Sequence, residues 1–433
     1  MKIKFYTNAG LEIITDKAKI LCDPWFIPGA FDGSWWQWPP LITKPEELTD
    51  YTHIYISHIH PDHCDLKTLV RLKNKEVPII LLKSNEEFLK KRILSCGFKN
   101  IVELKDGETF DLGHNLKLTM YGAFTPNVFI EDAEIPNIID SSIVVSSNNS
   151  TVFNCNDNVP NKAACERIKN SHKEISLALL PYSGVGPYPS SYDNLTLEEK
   201  KKVSENKKNM YLERLLESVA ILKPKLIVPC AGQMILAGKQ YEKNKVLGVP
   251  NPEAAKELLE KNNYCSEVMR EGDVLDLDTL KTERFSGNIN VSDEDLQKIK
   301  QAKYWWEDAF NVPKEERIEL LLLLKSAYRK MRCYQQKYAF FKDWYIGITI
   351  ADDPDFTYIF SIEKEEVKKI KTNELFNSKL KFLQVKIPYS YLIAILTRHC
   401  HWNNAYHGCL VEWYRRPDEY LPEIQMLLSY FHL

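Results

Sequence analysis

The stretch His58-Ile59-His60-Pro61-Asp62-His63 places three imidazoles and one carboxylate within six consecutive residues. The chain contains ten histidines in all, and four of them fall between His53 and His63 inclusive. Neutral imidazole and carboxylate ligands together suit Zn²⁺, Fe or Mn, whereas Ca²⁺ prefers a cage of oxygen atoms. The stretch therefore predicts a transition-metal site, and three loop histidines exposed to solvent are the alternative interpretation.

The residues on both sides of this stretch predict its place in the fold. Thr52 to Ser57 is rich in β-branched and aromatic side chains, which is typical of a buried strand. Asp65, followed by Leu66 to Val70, predicts a helix with Asp65 as its N-cap. The metal-binding stretch is therefore expected on a strand-to-helix loop.

The spacing within the stretch suggests two groups of ligands. Residues two apart in an extended segment point to the same side, so His58 and His60 can chelate one ion together. Asp62 and His63 follow the turn and face another direction, which suits a second ion or a mixed second site. The expected cofactor is one or two transition-metal ions per chain, with Zn and Fe both open.

Length and composition predict an ordinary globular protein with two domains. A chain of 433 residues exceeds the usual size of one core. The net charge of -2 gives no pull toward nucleic acid. Met1 to Tyr6 lacks a long apolar run, and no segment approaches the roughly eighteen uninterrupted apolar residues of a membrane span. A cytoplasmic protein without nucleic-acid or membrane partners is therefore expected, and its scattered cysteines predict reduced thiols.

The order of strand-like and helix-like segments predicts an α/β fold followed by an α+β module. From Val77 to Asp157 short apolar runs alternate with turns, and Glu198 to Leu222 predicts a long helix that ends before Pro224. The predicted domains are 1-287, which carries the metal site, and 288-433, an α+β accessory domain. The second domain is predicted to contain the helix Lys314 to Met331 and the strands Trp344 to Ile350, Phe356 to Ile362 and Leu380 to Ile387.

Four features keep two interpretations each. Trp35, Trp36 and Trp38 predict either an aromatic wall beside the metal loop or a loop that covers a sheet edge. Pro181 to Pro189 predicts a pocket loop with backbone donors or a simple Gly/Pro turn. The segment Arg398 to Gly408 contains a second histidine cluster, whose His399 and His401 favour a packing corner over a metal site. The C-terminal module is expected either to cap the site or to form a homodimer contact.

Taken together, these segments resemble the metallo-β-lactamase superfamily, whose signature H-x-H-x-D-H matches His58 to His63. Within it the chain is similar to the cytidine monophosphate-N-acetylneuraminate hydroxylase family over roughly Asp23 to Gly272. The resemblance implies an αββα sandwich with its metal site at one sheet edge. It also implies that Asp157 is the metal-bridging aspartate. The segments that carry the likeness, besides the signature, are Leu21 to Trp25, Gly33 to Trp36, Ile54 to His58, Asp140 to Val144, Asn154 to Asp157 and Pro229 to Gly232.

The chain also departs from the pattern of these families. A further metal histidine is usual between the signature and the aspartate, yet Tyr121 to Asp157 holds none and offers Glu131, Asp132, Glu134 and Asp140 instead. The final histidine expected after Pro229 is also missing, with Cys230 and Gln233 nearby. The hydroxylase family carries a Rieske cluster domain ahead of this region, and no C-x-H or C-x-x-H in the chain could hold such a cluster.

The matched positions predict the metal ligands His58, His60, Asp62, His63 and Asp157. These five ligands can hold one ion well. They can hold two ions only if carboxylates of the Glu131 to Asp140 loop or water molecules also contribute. The first functional expectation is a metal-dependent hydrolase acting on a small anionic or sugar-containing substrate, in which Asp62 or Asp157 orients the nucleophile. The second is a non-heme iron oxidative enzyme, hydroxylase-like, acting on a nucleotide sugar or a related metabolite with electrons from a separate electron-transfer protein. The third is a non-catalytic binding protein with a degenerate site.

Overall fold

The computed structural model describes residues 1–84, 87–124, 127–128, 134–135, 139–287 and 290–433. Among these residues, no helix is both long enough and apolar enough to cross a membrane. The N-terminal part of the chain forms two facing sheets with helices outside them. The C-terminal part forms a smaller sheet with helices of its own.

The strands are numbered in chain order. The first group is β1 (Lys2–Thr7), β2 (Gly10–Ile14), β3 (Lys19–Cys22), β4 (Trp35–Gln37), β5 (His53–Tyr55), β6 (Ile79–Leu82), β7 (Ile101–Leu104), β8 (Thr109–Gly113), β9 (Leu116–Tyr121), β10 (Asn127–Val128), β11 (Glu134–Ile135), β12 (Ser142–Ser146) and β13 (Thr151–Asn154). The second group is β14 (Leu177–Pro181), β15 (Leu226–Cys230), β16 (Met234–Leu236), β17 (Val274–Asp276), β18 (Lys281–Glu283), β19 (Tyr345–Ile350), β20 (Asp353–Ser361), β21 (Val367–Lys371), β22 (Phe382–Ile387) and β23 (Glu412–Arg416).

The helices are numbered in the same way. They are α1 (Leu66–Arg71), α2 (Phe88–Ser95), α3 (Lys162–Ser171), α4 (Leu197–Leu222), α5 (Pro252–Lys261), α6 (Asp293–Lys300), α7 (Trp305–Ala309), α8 (Leu320–Tyr338), α9 (Thr372–Asn377), α10 (Tyr389–Leu396), α11 (Trp402–His407) and α12 (Pro422–Leu428). Three 3₁₀ helices span Pro45–Glu47, Gly238–Val246 and Lys314–Glu316.

Two large sheets form the first part of the chain. The first has the strand order β18-β17-β1-β2-β3-β5-β6-β7, and the second has the order β15-β14-β13-β12-β9-β8. Their inner faces pack together, with Ile3 and Ile20 of the first sheet in the same buried cluster as Leu118 and Ile143 of the second. This shared apolar layer holds the two sheets face to face, because its burial removes side chains of both sheets from water.

Helices cover the outer face of each sheet. Leu69 of α1 and Ile93 of α2 pack against the outer side chains of the first sheet. Ile168 of α3, Val219 of α4 and Leu259 of α5 pack against the outer side chains of the second. The layers therefore run helix, sheet, sheet, helix, and the predicted αββα sandwich is confirmed.

The C-terminal part forms a third sheet with the strand order β21-β20-β19-β22-β23. Its core includes Ile346 and Val385 of this sheet, Leu324 of α8 and Tyr391 of α10. Tyr192, which lies before α4 in the chain, packs in the same core. The predicted α+β content is therefore present. The boundary proposed after Gly287 adjoins residues 288 and 289, which lie outside the described residues, so the division itself stays a prediction.

Local signals around the metal-binding stretch give the predicted structure. The strand β5 ends at Tyr55, and α1 begins at Leu66 with Asp65 as N-cap. The Asp65 carboxylate accepts from the backbone N–H groups of Lys67 and Thr68, at 3.2 Å each. The stretch thus lies on the loop between a buried strand and a capped helix, as the sequence predicts.

Candidate metal centre

The candidate site lies where several parallel strands end. The strands β3 and β5 pair in parallel in the first sheet, and β13, β14 and β15 do so in the second. Asp23 follows β3, the stretch His58 to His63 follows β5, and Asp157 follows β13. Because the carboxyl ends of parallel strands meet at one edge, residues distant in sequence converge there.

The tightest group of donor atoms belongs to His58, His63 and Asp157. One nitrogen of each imidazole and one oxygen of the carboxylate all lie within 4.8 Å of one another. His58 and His63 are buried, whereas the Asp157 side chain is 37% exposed. The structure therefore brings together ligand atoms from both ends of the metal-binding stretch with the predicted bridging aspartate.

Three further donors surround this group. The imidazole nitrogens His60 Nδ1 and His58 Nε2 are 2.8 Å apart. Asp62 Oδ2 is 3.4 Å from His63 Nε2. Asp140 Oδ1 is 3.6 Å from His58 Nε2. All five predicted ligands therefore converge at one place, together with one carboxylate of the acidic loop. Of that loop, Glu131, Asp132 and the side chain of Glu134 lie outside the described residues.

Ser57 and Asp23 orient two of the imidazoles. Ser57 Oγ donates to Asp23 Oδ2 at 2.7 Å, because a carboxylate can only accept, and it then accepts from His58 Nδ1 at 2.9 Å. His63 Nδ1 donates to the same Asp23 oxygen at 2.9 Å. When neutral, both rings therefore present the lone pair of Nε2 toward the centre. Hydrogen bonding of the other ring nitrogen is typical of histidines that bind metals.

Asp23 is fully buried and was not singled out by the sequence patterns as a site residue. It also accepts from the Ser57 backbone N–H at 2.7 Å, and its φ of 39° lies in the left-handed region. A non-glycine residue in that region carries backbone strain, which is concentrated at functional sites. The signal available in the sequence was a carboxylate directly after a strand.

Asp62 is oriented from a different part of the chain. Asn8 Nδ2 donates to Asp62 Oδ2 at 3.0 Å. Gln233 Oε1 accepts from the Asn8 backbone N–H at 3.3 Å, and Gln233 Nε2 donates to the carbonyl of Met269. Gln233, which follows the strand where a metal histidine was expected, therefore supports Asp62 through Asn8. Cys230 instead lies in the core between the sheets.

The charges at the centre favour a cation. Burial lowers the pKa of His58 to about 4. Burial acts on His63 in the same direction, but the carboxylates of Asp157, Asp62 and Asp23 outweigh it and hold the pKa of His63 well above its usual range. These carboxylates stabilise a positive charge at His63, and a metal ion supplies such a charge as well as a proton does.

The hydrogen-bonding pattern leads to the same conclusion. His63 Nε2 is buried and makes no hydrogen bond among the described residues. It lies between Asp62 and Asp157, at 3.4 Å and 3.3 Å from their nearest oxygens. A buried polar atom without a partner is costly, and a metal ion between these groups would satisfy it. The residues present therefore fit a divalent transition-metal ion, although which of them bind it remains a prediction.

A cavity of about 350 Å³ opens on the centre. His60, Asp62, Asp140 and Asp157 form its polar end. The rest of the wall is largely aromatic and apolar, and includes Phe31, Trp35, Val185, Met234, Trp402, Tyr406, Trp413 and Met426. A concave, mostly apolar site with a few convergent polar groups is typical of small-molecule binding.

Two of the segments that kept two interpretations contribute to this cavity. Trp35 lines it, while β4, which contains Trp35 and Trp36, also pairs with β16. Ser183, Gly184 and Gly186 of the Pro181 to Pro189 segment line it as well. A Cβ atom on Gly184 would overlap the ring of Tyr211, so the close approach of backbone to ring requires glycine there.

The second histidine cluster has two different outcomes. His401 Nδ1 accepts from the Asn403 backbone N–H and caps α11, and His399 is exposed beside Thr397. Both side chains make hydrogen bonds but are exposed, so the packing corner stays a prediction for these two residues. His407, at the end of the same segment, lines the cavity with its ring centroid 5.2 Å from that of His60. Sequence patterns missed it, because α11 is short and His407 is far along the chain from the metal loop.

The fold and this constellation define a protein with an αββα sandwich and a candidate metal centre at the edge of its sheets. Residues 18–230 match the family described as the beta-lactamase superfamily domain. The predicted resemblance of this part of the chain to the superfamily is therefore confirmed.

Relatives and one solved structure extend this comparison. The chain is 30% identical over 237 residues to a Mycolicibacterium smegmatis protein named as a Rieske 2Fe-2S iron-sulfur protein, covering 54% of this chain and 43% of the other. It is 24% identical over 302 residues to the human inactive cytidine monophosphate-N-acetylneuraminic acid hydroxylase, covering 66% and 56%. The chain thus spans about half the length of these curated relatives. The structure of CmlA, a diiron beta-hydroxylase from Streptomyces venezuelae, aligns with a TM-score of 0.45 at 15% identity, covering 66% of this chain and 54% of CmlA.

Proposed function

We propose that this chain is a metal-dependent enzyme that oxidises a small organic molecule at a non-heme iron centre. The observation that carries the proposal is the share of carboxylates among the donors. Asp62, Asp140 and Asp157 lie with three imidazoles around the centre. Two histidines with one carboxylate and open positions are typical of non-heme Fe(II) oxygenases, and His58, His63 and Asp157 have that composition.

The relatives also favour oxidation. One is named as an iron-sulfur protein and another as a hydroxylase, although the human one is inactive. The sequence alone favoured hydrolysis by the base rate of the superfamily. The position of Asp140 beside His58, together with these relatives, reverses that order. Their activities are carried to this chain only as part of the proposal, since it spans about half of their length.

The proposed ligands are His58, His60, Asp62, His63 and Asp157, with Asp140 added by the geometry. When bound, iron would supply the means to activate dioxygen. Overall, one oxygen atom would enter a C–H bond of the substrate and the other would leave as water, with two electrons and two protons consumed. In this proposal the electrons would come from a separate electron-transfer protein.

The chain's own residues would bind the substrate and position the donors. Asn8 fixes Asp62, and Asp23 with Ser57 fixes the two buried imidazoles. The largely aromatic wall gives most of the cavity an apolar surface, and Arg214 lines it as a cationic side chain. A small anionic substrate with an apolar or sugar part would therefore suit the cavity.

Hydrolysis is the second candidate, and the setting of Asp62 supports it. A divalent ion lowers the pKa of a bound water toward about 7, and a fixed carboxylate next to it can orient that water for attack. Asp62 is fixed by Asn8, and Asp157 lies on the other side of His63. If the enzyme is a hydrolase, Asp62 or Asp157 acts as the catalytic base that orients the metal-bound water.

Metal analysis and oxygen uptake separate the two candidates. We expect protein purified without a metal-binding tag to contain iron, to absorb visible light, and to lose that absorption with dithionite. With Fe²⁺ and a reductant it should consume dioxygen in the presence of a substrate. Zinc as the only bound metal, with ester or phosphoester hydrolysis and no oxygen uptake, would establish hydrolysis instead. Protein without any transition metal would refute both candidates.

A double variant tests the location of the centre. His58→Ala with His60→Ala should abolish metal binding while unfolding stays cooperative, since the strands and helices beside the loop are untouched. The matched control is His114→Ala with His399→Ala, which removes two exposed imidazoles that do not line the cavity. Full metal content in the first double variant would rule out this site.

A further inference from the structure

We propose that His407, from the C-terminal part of the chain, is an additional metal ligand and completes the centre formed by the first part. The inference rests on the proposed metal centre and goes beyond the five ligands predicted from the sequence. Nothing in the superfamily signature points to a residue in this part of the chain, which lies outside the matched residues 18–230.

The position of the ring is the first argument. His407 lines the cavity together with His60, Asp62, Asp140 and Asp157. Its ring centroid lies 5.2 Å from that of His60, which in turn lies 4.6 Å from that of His58. Consecutive ring contacts therefore link His407 through His60 to His58.

The hydrogen bond of the ring is the second argument. His407 Nδ1 lies 3.1 Å from the carbonyl oxygen of Val185. A carbonyl can only accept, so Nδ1 carries the hydrogen and donates. In the neutral ring Nε2 then carries the lone pair. This is the tautomer that a metal-binding histidine adopts when a backbone carbonyl holds its other nitrogen.

The third argument is that the backbone of His407 is fixed to the first part of the chain. Trp35 Nε1 donates to the carbonyl of His407 at 2.9 Å, and Ser34 Oγ donates to the carbonyl of Gly408 at 2.6 Å. Asn404 Nδ2, one turn earlier in α11, donates to Asp32 Oδ1 at 3.0 Å. The Val185 carbonyl holds the ring of His407 and these three hydrogen bonds hold the backbone around it, so the side chain has the fixed position that a ligand requires.

This assignment also accounts for the missing histidine after Pro229. The first part of the chain offers three imidazoles at the centre, and His407 would supply a fourth from the other side of the cavity. The C-terminal part would then complete the metal centre in addition to covering it. The sequence left open whether that part caps the site or forms a dimer contact, and its residues line the cavity.

Co²⁺ binding tests the proposal without depending on activity. Metal-free full-length protein is titrated with Co²⁺, and the stoichiometry, the affinity and the visible d–d absorption are recorded. We expect His407→Ala to weaken binding of one Co²⁺ by about tenfold or more and to change the absorption, since even residues that only support ligands cost 10- to 100-fold. His401→Ala, which removes the N-cap of the same helix, should bind within about twofold of the wild type.

The outcomes distinguish this inference from the proposed function. Wild-type protein that binds no Co²⁺ would refute the metal centre itself. Wild-type binding with an identical affinity and spectrum in His407→Ala would refute only the role of His407, even if turnover were lost. If His407→Ala does not fold, His407→Gln retains an amide that can donate to Val185, and the same comparison is made with it. Equal loss in His401→Ala would assign the effect to the helix and also overturn the proposal.

Discussion

Replacing Asp23 with asparagine tests whether this buried carboxylate sets the metal affinity. Asp23 accepts from the Ser57 backbone, from Ser57 Oγ and from His63 Nδ1, at 2.7, 2.7 and 2.9 Å. In Asp23→Asn one oxygen becomes an NH₂ group, which donates. If that group faces His63, Nδ1 must accept, the hydrogen moves to Nε2, and the lone pair at the centre is lost.

The expected magnitude follows from the bond that is lost. A hydrogen bond to a charged group contributes about 1.5–3 kcal/mol, which corresponds to roughly 10- to 100-fold in affinity. We therefore expect Asp23→Asn to raise the Kd for Co²⁺ or Zn²⁺ by about 10- to 100-fold at pH 7.5, measured in competition with a chromophoric chelator. The ligands themselves are unchanged, so the number of bound ions should fall only at low metal concentration.

The matched control is Asp273→Asn. Asp273 is also buried and also accepts three hydrogen bonds, from the Arg270 backbone, Arg284 and the Phe285 backbone, and it does not line the cavity. It should lose folding stability and retain the metal affinity. A Kd within about twofold of the wild type in Asp23→Asn would refute the reasoning on the tautomer of His63. An equal loss of affinity in both variants would show that the effect is one of general destabilisation.

Three further predictions concern other parts of the molecule. Asn8→Ala should weaken metal binding by roughly tenfold through Asp62, measured by the same competition, because it removes the 3.0 Å hydrogen bond between them. Asp140→His should shift the metal bound from cell extract from iron toward zinc, measured by elemental analysis, since imidazole replaces a carboxylate; an unchanged metal ratio would count against the role of Asp140. Glu12→Gln should unfold at higher urea concentration than the wild type at pH 8 and lose that advantage as the pH falls toward about 4.5, because burial raises the pKa of Glu12 in the folded state and its ionised form is penalised there. A urea midpoint that does not rise at pH 8 would contradict the last expectation.

The elements beside the metal loop could be predicted because their causes are local. A run of β-branched residues gives β5, and the Asp65 side chain satisfies the first free N–H groups of α1. The helix α4 was predicted from Glu198 to Leu222 and spans Leu197 to Leu222, because its apolar spacing and its N-cap both lie within its own sequence. Four of the five proposed ligands share one loop, so their proximity could be predicted in the same way, whereas Asp157 was added by the family resemblance.

The supporting and distant residues could not be predicted because their roles depend on packing. Asn8 is a turn residue in sequence, and only the approach of β1 and β2 to the metal loop brings it to Asp62. His407 depends on how α11 packs against Ser34 and Trp35. No periodicity or spacing in the chain records such contacts. Asp23 is intermediate, because its place after a strand was visible while its partners were not.

The contacts of the C-terminal part link metal binding to the stability of the whole chain. Asp32, Ser34 and Trp35, which hold α11, belong to the same segment that forms one wall of the cavity. A ligand that binds only the folded state stabilises it by RT ln(1 + [L]/Kd), which is about 2.7 kcal/mol at a concentration of 100 Kd. If His407 is a ligand, this free energy also opposes separation of α11 from the first part. Metal should then protect the amides of residues 402–408 from hydrogen exchange as strongly as those of the metal loop, and in His407→Ala it should protect only the loop.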